Sequence, residues 1–148
     1  MIWKPHVTVA TIIERDNQYL MVEEFSSGQR VINQPAGHLE EGESLAEAAI
    51  RETLEETAWH VELEYISGIY RWQNPEKNNT YLRVCFVAHA LSHDEQRELD
   101  DGILAALWLD RDSLITQADR LRSPMVMLGI DDYLAGHQYP LSLFTDVS

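Results

Sequence analysis

The chain has 148 residues, 45% hydrophobic and 24% charged, which is the size and balance of one compact domain (1–148) with an apolar core. Its 25 Asp and Glu against 11 Lys and Arg give a formal net charge of −14, which argues against a nucleic-acid polymer or an anionic membrane as partner. A small phosphorylated ligand suits so acidic a chain only if divalent cations bridge its carboxylates to the phosphates.

Met1 to Ile13 contains one Lys and a Pro but no long apolar stretch or small-residue cleavage site, so it does not read as a signal peptide. No segment reaches the roughly 20 apolar residues that span a bilayer. The single cysteine, Cys85, has no partner for an internal disulfide, and the expected location is cytoplasmic.

Val7 to Ile13 is rich in β-branched residues, and Arg15 to Gln18 (RDNQ) is a turn leading into Tyr19 to Phe25, which together predict an N-terminal hairpin. Ser26 to Arg30 (SSGQR) reads as a loop. After an acidic stretch, Val61 to Trp72 and Thr80 to Leu91 read as strands joined by a turn at QNPEKNN. A second acidic loop, SHDEQRELDDG, precedes a short strand at Ile103 to Leu109. The caps and spacing of DRDSLITQ and SPMVMLGIDDYLAG predict two short helices, the second starting at Ser123 and Pro124 and ending at Gly136. Strands before, between and after helices predict an α+β fold, a mixed sheet with helices packed on it.

The acidic stretch GHLEEGESLAEAAIRETLEETAWHV, 37–61, carries the chemistry. Ser44 followed by Glu47 is a capping box, so a helix starts there. From Leu45 to Thr57 there is no Gly or Pro, and good helix formers dominate. At about 100° per residue, Leu45, Ala46, Ala49, Ile50, Thr53 and Thr57 gather on the side expected to pack on the sheet. Glu55 falls about 60° to one side of Glu52 and Glu56 about 40° to the other, so the three carboxylates share one sector. Like charges so spaced destabilise a helix unless a divalent cation converts their repulsion into ligation, and hard oxygen donors favour Mg²⁺, with Mn²⁺ as substitute.

A solvated acidic face is the ordinary reading of such a helix. The spacing argues otherwise: Gly37, five residues, Glu43, seven residues, Arg51 and Glu52, two residues, Glu55 and Glu56. At residue frequencies of roughly 5–10%, the coincidence has a chance on the order of 10⁻⁷ per register. This pattern resembles the Nudix box. The resemblance implies an α/β/α sandwich with helices on both sides of a mixed sheet, and hydrolysis of a diphosphate linked to another group. It implies that Glu52, Glu55, Glu56 and the Gly37 carbonyl hold Mg²⁺ and that Arg51 orients Glu52. A helix glutamate or a carboxylate of a later loop would deprotonate the attacking water; Glu98, Asp100 and Asp101 are the candidates in the loop.

KPHVTVA, NQPAGHLE, LRSP and YPL extend the likeness over almost the full chain, to the bacterial NudJ-type phosphatases. That likeness implies release of inorganic phosphate from nucleoside tri- and diphosphates and from small pyrophosphates such as hydroxymethylpyrimidine pyrophosphate. Two alternatives stay open: a nucleotide-sugar or dinucleotide (ADP-ribose-type) pyrophosphatase, and a non-catalytic nucleotide-binding sensor. The chain would act on its small-molecule substrate as a monomer or homodimer.

Three residues depart from the box. Thr53 stands at a usually aliphatic position, where its hydroxyl can bond the preceding turn. Ala58 replaces a glycine whose left-handed conformation would cost another residue about 1–2 kcal/mol, so a different helix exit is expected. Trp59 is a bulky last apolar residue, expected over the helix end. For selectivity the candidates are Arg30, Tyr81, Arg83 and Arg122, each Arg serving either as a bidentate phosphate ligand or as a surface ion pair. Trp72 suits either base stacking or packing at a rim.

Overall fold

The structure, a computed structural model, describes residues 1–147. In chain order it contains β1 (His6–Arg15), β2 (Gln18–Ser26), β3 (Gln29–Asn33), β4 (Ala36–His38), α1 (Leu45–Thr57), β5 (Trp59–Asn74) and β6 (Asn79–His93). These are followed by β7 (Ile103–Leu109), α2 (Arg111–Thr116) and α3 (Pro124–Leu134).

The strands form one mixed sheet in the order β3-β2-β1-β6-β5, with β4 also on β1 and β7 also on β2. β1 and β6 run parallel, and the remaining pairs are antiparallel. β1 and β6 are apolar on both faces, as strands covered on both sides must be. Ala10 and Ile12 of β1 and Cys85 and Val87 of β6 join Leu114 of α2 and Val126 and Ile130 of α3 in one core. The alternate residues Val9, Val84 and Phe86 meet Ala48 and Ala49 of α1. The result is an α/β/α sandwich. Among the described residues no helix is long and apolar enough to cross a membrane.

The predicted hairpin closes through Asp16 and Asn17, both at positive φ, as the tightest hairpin turns require. The expected loop at 26–30 is instead a second hairpin. Ser27 and Gly28 make its turn, both also at positive φ, and Gln29 and Arg30 already pair with Ser26 and Phe25. The segment is short and polar, so its strand character comes from pairing with β2 and not from its own pattern.

α1 begins at the predicted capping box. Ser44 Oγ accepts from the Glu47 amide at 3.0 Å, and the Glu47 carboxylate accepts from the Ser44 amide at 2.9 Å. Removing the serine oxygen in Ser44→Ala should cost about 1 kcal/mol, read as a fall of roughly 2–4 °C in melting temperature.

The buried side of α1 is rotated from the expected one. Ile50 is 39% exposed, whereas Ala48 is fully buried and Glu56 is 8% exposed. Two adjacent alanines let the helix backbone approach the sheet closely, a fit that a large Ile would prevent. Thr53 bonds the preceding turn as expected, its hydroxyl donating to the Ala49 carbonyl at 2.8 Å. Ala58, however, adopts the left-handed conformation after all, at φ 64° and ψ 17°, with its amide donating to the Leu54 carbonyl. Burial of its methyl and the Asp94 amide bonded to its carbonyl hold it there. Trp59 packs its ring 4.9 Å from His93 and 5.8 Å from Trp108, with Arg15 over both indoles.

Candidate active site

α1, β4 and the loop after β6 converge at one end of the sheet. β4 places Gly37 against Glu52 so closely that a methyl there would lie 2.2 Å from the Glu52 carboxyl carbon. Glycine at this position makes room for the carboxylate. The loop is tied to the end of α1 through its backbone: the Asp94 amide donates to the Ala58 carbonyl at 2.8 Å, and the Asp100 amide to the Glu55 carbonyl at 3.0 Å. Asp100 thereby joins Glu52 and Glu55 in a group whose carboxylate oxygens lie within 4.8 Å of one another. Glu98 and Asp101 fall outside that group.

Arg51 organises the cluster. Its Nη1 donates to Glu52 at 2.8 Å and lies 3.4 Å from Glu55, while Nη2 donates to Glu43 at 2.7 Å and to the His38 carbonyl at 3.1 Å. That bond to Arg51 holds the Glu43 carboxyl below its usual pKa. Glu52 moves the other way because burial disfavours its charge. Burial, and then the nearby Glu55, raise Asp100 as well.

Glu56 turns inward, away from the other two glutamates. The Ala36 amide donates to its Oε1 at 2.8 Å, and burial pushes its pKa up to about 9. Glu52 and Glu55 share the group with Asp100, and Glu56 sits deeper on the same helix. The physical reason is the rotation of α1, which brings Glu56 into the buried side. The oxygen-only donors of Glu52, Glu55 and Asp100, gathered within reach of one centre, fit a hard divalent cation.

An open cleft of about 560 Å³ extends from Gly37, Glu52 and Glu56 past Arg83, Tyr81 and Trp72 to Arg122 and Ser123. Tyr81 stacks between His6 at 5.2 Å and Trp72 at 5.8 Å, so one wall is a ladder of rings. Arg122 is carried to the cleft by its amide bond to the Ile32 carbonyl and is ion-paired to Glu24. Arg83 is buried, and its Nη groups donate to Asn33 and Gln34.

Arg30 does not reach the cleft. Alternation along β3 sends Gln29 and Val31 there, while Arg30 lies over the Phe25 ring at 5.7 Å and 3.9 Å from Glu23, its side chain 62% exposed. The sequence reading did not pick out Glu24, Asn33 or Gln34. Two consecutive amides in NQP at the end of a strand were the available signal, since such groups are buried only with partners.

The NUDIX domain family model matches residues 4–127. The chain belongs to the Nudix family. Phosphatase NudJ of Escherichia coli K12 is 37% identical over 144 residues, covering 97% of this chain and 93% of that protein. A NUDIX hydrolase from Nitrosomonas europaea is 45% identical and superposes with a TM-score of 0.96, covering 97% of this chain and 98% of that one. A second NUDIX hydrolase structure from the same organism, at 22% identity and a TM-score of 0.73, shares the fold. This Nudix chain is thus a hydrolase of phosphoanhydride bonds, similar to the NudJ phosphatases.

Proposed function

We propose that the protein, acting as a single 148-residue domain in the cytoplasm, uses Mg²⁺, or Mn²⁺ in its place, to release inorganic phosphate from nucleoside tri- and diphosphates and other small pyrophosphates, hydroxymethylpyrimidine pyrophosphate among them. The observation that carries this reading is the carboxylate group of Glu52, Glu55 and Asp100, whose Glu52 lies beside Gly37 on the wall of a cleft large enough for a nucleotide. The 37% identity to Phosphatase NudJ supports the choice of product.

Glu52, Glu55, Glu56 and the Gly37 carbonyl are the groups that would hold the metal. A divalent ion bound there supplies neutralisation of phosphate charge and polarisation of water. Arg51 keeps Glu52 turned toward the cleft and, by pairing with several carboxylates at once, limits their mutual repulsion before any cation binds. Asp100 is the base in this reading. Its raised pKa brings it closer to neutrality, where proton abstraction is most effective. Trp72, at the end of the ring ladder and backed by Tyr81, offers a ring face to the organic part of the substrate.

A product-resolved assay tests the reading: purified protein with Mg²⁺ against a nucleoside triphosphate, a nucleoside diphosphate, ADP-ribose and hydroxymethylpyrimidine pyrophosphate. Inorganic phosphate from all but ADP-ribose is the expected result. Turnover of ADP-ribose alone, giving a nucleoside monophosphate, would replace the reading with a dinucleotide pyrophosphatase. Tight nucleotide binding without turnover would replace it with a sensor.

A further inference from the structure

Arg83 carries a buried charge that no acidic group among the described residues neutralises by direct contact. Its exposure is 4%. Nη1 and Nη2 each donate to Asn33 Oδ1 at 3.3 Å, Nη2 donates to Gln34 Oε1 at 2.5 Å, and Nε has no hydrogen-bond acceptor among the described residues. Both partners are neutral amides. A charge removed from water is ordinarily retained against an opposite charge, because desolvation otherwise costs several kcal/mol.

Acidic residues are not lacking nearby. Glu24 and Glu56 line the same cleft. Glu24 is paired with Arg122, and Glu56 accepts from the Ala36 amide. The clamp itself is braced from behind, since Gln34 Nε2 donates to the Val126 carbonyl of α3 at 2.8 Å. Asparagine at position 33 is also nearly isosteric with aspartate, so a counter-ion would need almost no extra room. The positive charge is fixed in place at the wall of the cleft, held there by neutral groups alone.

We propose that Arg83 is an anion-binding residue that receives a phosphoryl group of the substrate, with Asn33 and Gln34 as positioning residues whose neutrality keeps its charge available. Glu52, Glu56 and Arg83 line one cleft, so the ligand class is a compound with at least two linked phosphates, one toward the carboxylates and one toward Arg83. Arg83 provides guanidinium N–H donors, which suit a phosphoryl group, at the wall of the cleft. This inference rests on the phosphoanhydride reading of the site, and its test is chosen to stand apart from turnover.

The decisive variant is Asn33→Asp, which supplies the missing counter-ion. The probe is a non-hydrolysable pyrophosphate, methylenediphosphonate, with Mg²⁺, its affinity measured by calorimetry in the otherwise unchanged protein. Asn33→Asp is expected to weaken diphosphonate binding about tenfold or more while leaving the ligand-free melting temperature equal or higher, because the buried charge is now paired. A residue with a purely structural role would gain stability with no change in affinity. Arg83→Met, which keeps the volume and removes the charge, is expected to lose diphosphonate binding by more than about tenfold without a fall in ligand-free melting temperature. Affinity within threefold of the parent in either folded variant would overturn the proposal, as would absence of diphosphonate binding in the parent. A fall in melting temperature in both variants would assign Arg83 to the fold and overturn it equally. Failure of every substrate in the turnover assay, with Arg83-dependent binding intact, would sink the hydrolytic reading alone.

Discussion

Glu56→Gln is expected to abolish turnover and, in metal-free buffer at pH 8, to raise the melting temperature. The two effects share one cause, a carboxylate 8% exposed whose pKa burial pushes up to about 9. The folded chain holds a proton there at a pH where the unfolded chain, with an ordinary value of 4.5, has released it. The contribution of this group to stability is therefore complete below about pH 4.5 and is lost as pH rises through about 9. Across that window each pH unit removes up to about 1.4 kcal/mol, or roughly 3–5 °C for a chain this size. Glutamine keeps the hydrogen bond from the Ala36 amide and has no proton to lose. The variant should thus melt at nearly constant temperature where the metal-free parent weakens, and Mg²⁺ should restore the parent and not the variant. The expected loss of activity is about 10²-fold or more. Melting curves from pH 5 to 9, with and without EDTA, check the first part, and a stability fall in the variant at pH 8 would refute it.

Gly37→Ala is expected to separate site from fold in a different way. The added methyl would lie 2.2 Å from Cδ of Glu52 and 2.3 and 2.5 Å from its oxygens. The three nearest atoms all belong to the Glu52 side chain, and Gly37 has no positive φ, so the chain is expected to accept alanine if the Glu52 carboxylate swings aside. The swing would break the 2.8 Å bond from Arg51 Nη1 and remove one oxygen from the group with Glu55 and Asp100. The melting temperature should move by no more than about 2–4 °C, the equivalent of 1 kcal/mol. Mg²⁺ affinity and turnover should each fall by about 10-fold to 100-fold, as when the support of a metal ligand is lost. Calorimetric Mg²⁺ titration beside a melting curve gives both numbers, and full activity in a folded variant would place the metal elsewhere.

The elements with the strongest local signals were legible from the sequence. The capping box placed the first residue of α1, and the β-branched and apolar runs placed β1, β5, β6 and β7. What escaped was information held in contacts between distant segments. β3 has no pattern of its own and becomes a strand by pairing with β2. Hydropathy favoured Ile50 as core, yet close approach to the sheet selected Ala48, and that rotation carried Glu56 inward. Spacing within the acidic loop could not rank Glu98, Asp100 and Asp101; the fold brings Asp100 into the group with Glu52 and Glu55 through the bond from its amide to the end of α1. Arg30 and Arg83 looked alike as cations. Only strand alternation and burial separate an arginine lying on Phe25 from one enclosed by two amides.

The acidic loop is held by its main chain, through Asp94 to Ala58 and Asp100 to Glu55. These bonds read no side chain between the two anchors, so residues 95–99 are free to change in kind. They are not free to change in number. One residue inserted or deleted there would shift Asp100 out of step with the last turn of α1, and its carboxylate would leave Glu52 and Glu55 while the helix and sheet stayed intact. The helix end thus acts as a ruler for the loop, and length, more than composition, is the quantity that drift or design in this segment must preserve.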